Sequence, residues 1–369
     1  MFVVPKVKFG DVVKEVKNKI DRNNNPYEYY VAGDHMDSED LTIHRRGCFA
    51  TDDVGPAFIR EFRKGQVLYG SRRTYLKKVA VADFDGVTAN TTFVLETKDQ
   101  NVLLQELLPF IMLTDNFTKW SIGKSKGSTN PYILFSDLAD YEFDLPPIEE
   151  QRKLATVLWK MFRLKEGYVE LQHQSDQLVQ SQFIEMFREC PKCDLSRLSV
   201  IDMGSSPDSK TYNEEGKGLP FYQGKTEFGE MIIGDAVMYC SAPVKIAQAN
   251  DVLMSVRAPV GTVNLAKEEC CIGRGLASIR AIDGKSEALF LFFALRIMEK
   301  EIEAMGVGST FKAINKNALF SVQIPEASLE LQSAFVLLAQ QFDKSKFAAK
   351  QALENLERTQ KSLMNRYLG

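Results

Sequence analysis

The chain repeats itself, and the repeat limits what it can fold into more than any other feature. Residues 127–151 read GSTNPYILFSDLADYEFDLPPIEEQ and residues 308–332 read GSTFKAINKNALFSVQIPEASLELQ. At a constant offset of 181, Gly127-Ser128-Thr129 falls on Gly308-Ser309-Thr310, Ile133 on Ile314, Leu138 on Leu319 and Gln151 on Gln332. Upstream, Val67-Leu68-Tyr69-Gly70-Ser71-Arg72 matches Val252-Leu253-Met254-Ser255-Val256-Arg257 at offset 185. Each half therefore runs through a strand-rich block, a GST element, a proline-containing stop and a long polar–apolar run. Such a chain builds the same unit twice.

The runs after the stops have helical period. Pro146-Pro147 blocks helix entry from upstream, and Glu149-Glu150 suit a first helical turn. From Leu154 the spacing picks out Val157, Met161, Leu164, Tyr168, Leu171 and Leu178, a 3-4-3-4 seam. The second run gives Phe335, Leu338, Phe342, Ala349, Ala352, Leu356 and Leu363. Each run of about 38 residues would make roughly 57 Å of helix. Neither is apolar all round, so each needs a partner, and the other helix is the obvious one. The expected seam is Val157, Met161, Leu164 and Leu171 against Phe342, Ala349, Leu356 and Leu363. Before the GST elements, short β-branched and aromatic runs bounded by Gly, Asp and Asn read as strands, with one helix per half over 103–113 and 286–305. The expected fold is α+β: globular blocks at 1–145 and 191–324, and spacer helices at 146–190 and 325–369.

Charge narrows the function. The chain has 369 residues, 46 Lys+Arg and 49 Asp+Glu, a formal net charge of −3. The four segments carry −2, −1, −1 and +1 in chain order. A protein that coats nucleic acid without sequence preference is usually strongly basic, so that class is disfavoured. Local basic runs remain. Residues 60–78 hold seven Lys and Arg against Glu61, and 116–136 hold Lys119, Lys124 and Lys126 with no acid. Arg257 repeats Arg72, and Lys312 and Lys316 follow the second GST element. Arg and Lys neutralise phosphates, and Arg can also read guanine edges.

Catalytic patterns are near misses. Gly218 to Gly224-Lys225-Thr226 has five residues between the glycines where a phosphate loop needs four. Asn130-Pro131-Tyr132 resembles a methyltransferase loop but lacks its second proline. Pro207-Asp208 with Glu215-Gly216-Lys217 imitates a nuclease set inside what reads as a turn. Cys190-Pro-Lys-Cys193 is a lone pair with no second pair at zinc spacing, and His35 and His44 read as surface residues. No metal site is expected. No 18-residue apolar run predicts a membrane span, and the six cysteines fit a reducing cytoplasm better than a disulfide framework.

Leu145-Pro146-Pro147-Ile148-Glu149-Glu150-Gln151 before a long heptad-like helix resembles the specificity (S) subunits of type I restriction-modification systems. So do its second copy from Ile324-Pro325 to Gln332, the GST and Val-Leu-x-x-x-Arg elements, and their order. The second copy departs in having one proline. The resemblance implies two target-recognition domains, each reading half of a bipartite double-stranded DNA site, held apart by two antiparallel helices. It implies no catalysis and no cofactor in this chain. Two methyltransferase (M) subunits would bring S-adenosylmethionine, and restriction (R) subunits would bring ATP and Mg²⁺ chemistry. The DNA-contacting residues expected are Arg72, Arg73, Lys124, Lys126, Ser128 and Thr129 in the first half. In the second half they are Lys225, Arg257, Arg274, Ser309, Thr310 and Lys312. A stand-alone nuclease or methyltransferase and a coiled-coil scaffold are the alternatives.

Overall fold

The computed structural model describes residues 5–308 and 312–369, so Ser309 and Thr310 lie outside the described residues. It divides into two compact units: Met1–Val169 with Lys350–Gly369, and Glu170–Ala349. Each unit thus combines a globular block with part of both long helices, Ile148–Phe187 and Leu329–Tyr367.

The first unit holds strands β1 (Lys6–Lys8), β2 (Val13–Glu15), β3 (Tyr29–Val31), β4 (Gly47–Cys48), β5 (Phe58–Phe62), β6 (Val67–Gly70), β7 (Val79–Val81), β8 (Gly86–Ala89), β9 (Thr92–Thr97) and β10 (Glu142–Asp144). The sheets run β2-β9-β6-β7 and β4-β3-β8-β5, with β1 paired to β10. The second unit holds β11 (Lys192–Asp194), β12 (Ser199–Met203), β13 (Tyr212–Asn213), β14 (Leu219–Tyr222), β15 (Tyr239–Cys240), β16 (Ile246–Ala247), β17 (Val252–Ser255), β18 (Val263–Leu265), β19 (Cys270–Ile272), β20 (Leu276–Ala281) and β21 (Gln323–Pro325). Its sheets run β12-β20-β17-β18 and β13-β15-β14-β19-β16, with β11 paired to β21. The topologies superpose strand for strand, β13 being the addition. Even the parallel pair recurs, β3 with β8 and β14 with β19. The offset-185 match is β6 on β17.

Sequence periodicity missed some helix boundaries. The expected helix over 286–305 breaks at Met298 into Ala288–Ile297 and Glu299–Ala304. Residues Phe290 to Leu295 are all buried, so no polar face marks the register. The expected helix over 103–113 shortens to Leu108–Met112 behind a 3₁₀ turn at Gln105–Leu107, and a further helix, Asp115–Lys124, follows that the periodicity did not show.

The repeated glutamine of the proline stop locks helix to block. Gln151 is buried; its Oε1 accepts from the Leu104 N–H at 3.0 Å, and its Nε2 donates to the carbonyls of Val102 and Pro146, each at 2.8 Å. Gln332, also buried, accepts from the Glu287 N–H at 3.0 Å and donates to Lys285 and Ala327 carbonyls at 3.0 and 2.9 Å. Each amide satisfies one donor and two acceptors of loop backbone that would otherwise be buried unpaired.

In both units the long-helix segments run antiparallel. In the first, Lys165 pairs with Glu357 at 2.8 Å and Gln360 donates to the Leu158 carbonyl at 3.5 Å. In the second, Phe183 packs edge-to-face on Phe335 with centroids 5.3 Å apart, and Lys346 pairs with Asp176. The second helix also docks on the first block: Asn365 accepts from the Asp115 N–H at 2.9 Å and donates to its carboxylate at 2.8 Å, and Lys361 pairs with that carboxylate at 3.2 Å. Partial burial works against the Asp115 charge, but Lys361 and Asn365 outweigh it and hold the carboxyl below its ordinary value.

The seam on the first helix needs correction. Val157, Leu164 and Leu171 are 43, 49 and 46 % exposed and Met161 is half-buried. The buried stripe is Leu154, Ala155, Leu158 and Phe162 in the first unit and Val179, Phe183 and Phe187 in the second. A heptad template looks for a helix partner alone. This helix also packs on its globular block, where Leu104, Leu107, Leu108 and Phe110 share a core with Leu158 and Phe162, and that contact sets the phase. On the second helix Ala349 is buried, and Phe342, Leu356 and Leu363 are half-buried.

Two outcomes are expected. Gln151→Leu and Gln332→Leu should each cost about 3 kcal/mol by stranding three backbone groups, lowering the thermal midpoint by roughly 5–10 °C in calorimetry. Leu158→Asp should destabilise by more than about 3 kcal/mol because it buries an unpaired charge, whereas Leu164→Asp should stay within about 0.5 kcal/mol of wild type in urea titrations.

Candidate nucleic-acid interface

The GST element is a loop closed by a two-rung ribbon. Lys126 and Tyr132 exchange backbone hydrogen bonds at 2.8 and 2.9 Å, and Val307 and Ala313 do so at 3.0 Å each. Within the first loop, Gly127 turns the chain at φ +88°, and Gly127 to Asn130 are exposed. Ser128 and Thr129 form no hydrogen bond among the described residues, so both hydroxyls face solvent.

The ribbon lies against the end of the strand carrying the repeated arginine. Tyr132 bridges to Arg72 and Ala313 to Arg257. Ile133 N–H donates to the Ser71 carbonyl at 2.9 Å, and Ile314 N–H to the Val256 carbonyl at 3.0 Å. Ser71 in turn donates its N–H to Thr91 at 3.1 Å, and Val256 to Gly275 at 2.9 Å. A common backbone frame presents different side chains in the two units.

In the first unit four of the expected cations converge on this frame. Arg72 is exposed, its guanidinium 5.9 Å from the Tyr132 ring centroid. Exposed Arg73, in the left-handed region at φ 50°, donates its N–H to the Pro131 carbonyl at 2.6 Å. Lys124 ends the helix leading into the ribbon and lies 4.8 Å from the Trp120 ring. Lys126 pairs with Asp137 at 3.0 Å and is partly neutralised. In the second unit Arg257 is exposed at the position matching Arg72, and exposed Lys312 stands where the first unit has Pro131. Arg274 adjoins Gly275 and reaches Ser206 Oγ at 3.3 Å. Lys225 is exposed on the loop after β14, and no contact among the described residues ties it to the ribbon.

Four of the other five cations in the 60–78 run, all but exposed Lys64, serve the fold. Buried Arg60 lies 3.6 Å from Glu15; Arg63 pairs with Glu61 and Asp85; Lys77 pairs with Glu39; Lys78 donates to the Gly33 carbonyl. Three of those four carboxylates come from other segments, so the sequence run overstated the free charge. Sequence reasoning also passed over exposed Tyr75 and Tyr132, whose signal was an aromatic beside paired basic or turn residues. Such rings offer bases a stacking face. The first unit also brings together Asp40, His44 and Glu166, which their sequence spacing hid.

Comparison with known proteins assigns this duplicated frame to a family. The model of the type I restriction modification DNA specificity domain matches residues 6–170 and again 194–358. The chain belongs to that family. A candidate type I restriction enzyme MjaX specificity subunit of Methanocaldococcus jannaschii is 35 % identical over 251 residues, 62 % of this chain and 59 % of that protein. The Escherichia coli EcoDI specificity subunit is 28 % identical over 42 % of this chain and 33 % of its own length. The chain spans about three-fifths or less of the curated relatives it matches. A chain solved in a study of complex assembly and conformational transition of the type I R-M system shares 30 % identity and a TM-score of 0.64, covering 100 % of this chain and 99 % of its own. The Mycoplasma genitalium type I S subunit has the same fold at 16 % identity and TM-score 0.62, covering 98 % of this chain and 95 % of its own.

Proposed function

We propose that the chain is the non-catalytic DNA-specificity subunit of a type I restriction-modification complex, each unit reading one half of a bipartite site. The observation that carries this reading is the duplicated ribbon, on which Arg72 and Arg257 stand at equivalent places beside a GST loop. Arg72, Arg73, Lys124, Lys126, Ser128 and Thr129 contact DNA from one unit. Arg257, Arg274, Lys312 and, through the loop after β14, Lys225 contact it from the other, and Ser309 and Thr310 of the second GST element are expected to do so as well. Phosphate contacts set register, and arginine with the exposed tyrosines supplies readout.

Two M subunits dock on the long helices and carry S-adenosylmethionine; an R subunit, where present, brings ATP and Mg²⁺. Val157 and Leu164 in the first unit, and Leu171 and Leu178 in the second, support this docking. They stand seven residues apart along the first long helix and remain exposed apolar side chains. The complex works in the cytoplasm; among the described residues no helix is long and apolar enough to cross a membrane. The near-zero charge of every segment fits a chain whose partners share the electrostatic work, so the isolated chain binds DNA weakly and with strong salt dependence.

The test is co-expression with the cognate M subunit and mapping of N6-methyladenine. Methylation is expected at one bipartite motif, and exchanging residues 1–145 for the block of a relative should change one half of it. Purified chain that cuts or methylates DNA alone would favour an enzyme, and an exchange that leaves the motif intact would favour a scaffold. Within the complex, Arg72→Ala/Arg73→Ala should weaken DNA binding at least tenfold and lower the salt slope by about 1 to 2 in fluorescence anisotropy. Leu164→Asp should leave the fold intact while weakening capture of the M subunit.

A further inference from the structure

In the first unit the loop joining β3 to β4 meets the first long helix at a cluster of a different chemistry. Asp40, His44 and Glu166 each place one ligating atom so that all three lie within 4.8 Å of one another. Thr42, between the two loop residues, holds both carboxylates. Its N–H donates to Asp40 Oδ1 at 2.9 Å, and its hydroxyl donates to Glu166 Oε1. The second oxygen of Asp40 faces His44 Nε2 at 3.1 Å. Hydrogen bonds of this kind orient metal ligands from outside the coordination sphere.

Charge makes the same point independently. With His44 neutral, two carboxylates from segments 124 residues apart share one small volume. Four nearby cations are engaged elsewhere. Arg45 pairs with Asp37, Arg46 lies 3.9 Å from the Tyr29 ring centroid, Lys77 pairs with Glu39, and Lys165 pairs with Glu357. Among the described residues no lysine or arginine forms an ion pair with Asp40 or Glu166. Folding brings two negative charges together and leaves them without a strong counter-charge.

We propose that Asp40, His44 and Glu166 bind a divalent zinc ion that clips the β3–β4 loop to the long helix. One imidazole and two carboxylates suit Zn²⁺, which accepts nitrogen and oxygen ligands at about 2.0–2.2 Å in a tetrahedron, the fourth place going to water. Ca²⁺ and Mg²⁺ call for larger all-oxygen sets. Ligands on one such ion lie roughly 3.4 Å apart, so side-chain rotation at the partly exposed Glu166 closes the site. The loop also covers a sheet edge, where Leu41 accepts from the Val81 N–H at 2.8 Å. The ion therefore fixes a recognition-block loop to the helix on which the block is carried.

The experiment is isothermal titration of the full chain, stripped with chelator, with zinc chloride at pH 7.5. One equivalent should bind, with a rise in thermal midpoint. His44→Ala and Glu166→Gln should each weaken binding at least tenfold, and the Cys190→Ser/Cys193→Ser variant should bind like wild type. His44 is exposed, so its variant should fold, as circular dichroism in the absence of zinc will report. Failure of the wild-type chain to bind zinc would overturn the proposal. So would binding that survives both ligand substitutions, or that vanishes with the two cysteines.

Discussion

The architecture turns on a buried side-chain amide. Gln151 and Gln332 sit in the first turn of each long helix, and each reaches across to the loop that opens the helical layer of its block. One primary amide offers a two-proton donor and an acceptor in a plane, and here both ends are used. A carboxylate could not donate, and an aliphatic side chain would strand an N–H and two carbonyls in the core. The prolines before it end the incoming strand, so the amide arrives in the same place twice. Helix and block are thereby fixed to each other by backbone groups, which leaves side chains on the exposed face free to differ.

A pair of equivalent positions shows how much difference the frame tolerates. Gln66 and Asp251 both precede the strand bearing the repeated arginine. Both accept a backbone N–H three residues upstream at 2.8 Å, from Arg63 and Gln248. Across the sheet, Gln66 donates to Glu96 at 2.8 Å, whereas Asp251 accepts two bonds from Arg280 at 2.8 Å. Donor and acceptor have changed sides while the backbone is unchanged. A satisfied buried network is specified by its completeness, not by which partner carries the charge.

The same reasoning explains what the sequence could disclose. The repeat, the proline stops, the long helices and the recurrence of the GST and arginine elements were legible because they depend on backbone geometry, which recurs at fixed offsets; that the two elements meet was not. The helix phase was not. Leu154, Leu158 and Phe162 compete with Val157, Met161 and Leu164 as apolar stripes, and only the aromatic core around Phe110 decides between them. Free charge was not legible either. Arg60 and Lys77 are neutralised by Glu15 and Glu39, remote in sequence, while Arg72 and Arg73 keep their charge because the ribbon holds them outward.

That contrast narrows the proposed recognition surface further than composition could. A charge used for folding is withdrawn from binding, since its partner carboxylate must be displaced before a phosphate can take its place. On the first block Arg72 and Arg73, which form no ion pair among the described residues, stand beside the GST ribbon. The second block repeats the ribbon but replaces Lys126 and Tyr132 by Val307 and Ala313, so one face of its loop is apolar where the other is cationic and aromatic. Two units with one frame and unlike edges are suited to unlike half-sites. On the proposed function, a shared backbone would set where each unit meets the duplex, and the side chains at a few ribbon positions would set what it reads there.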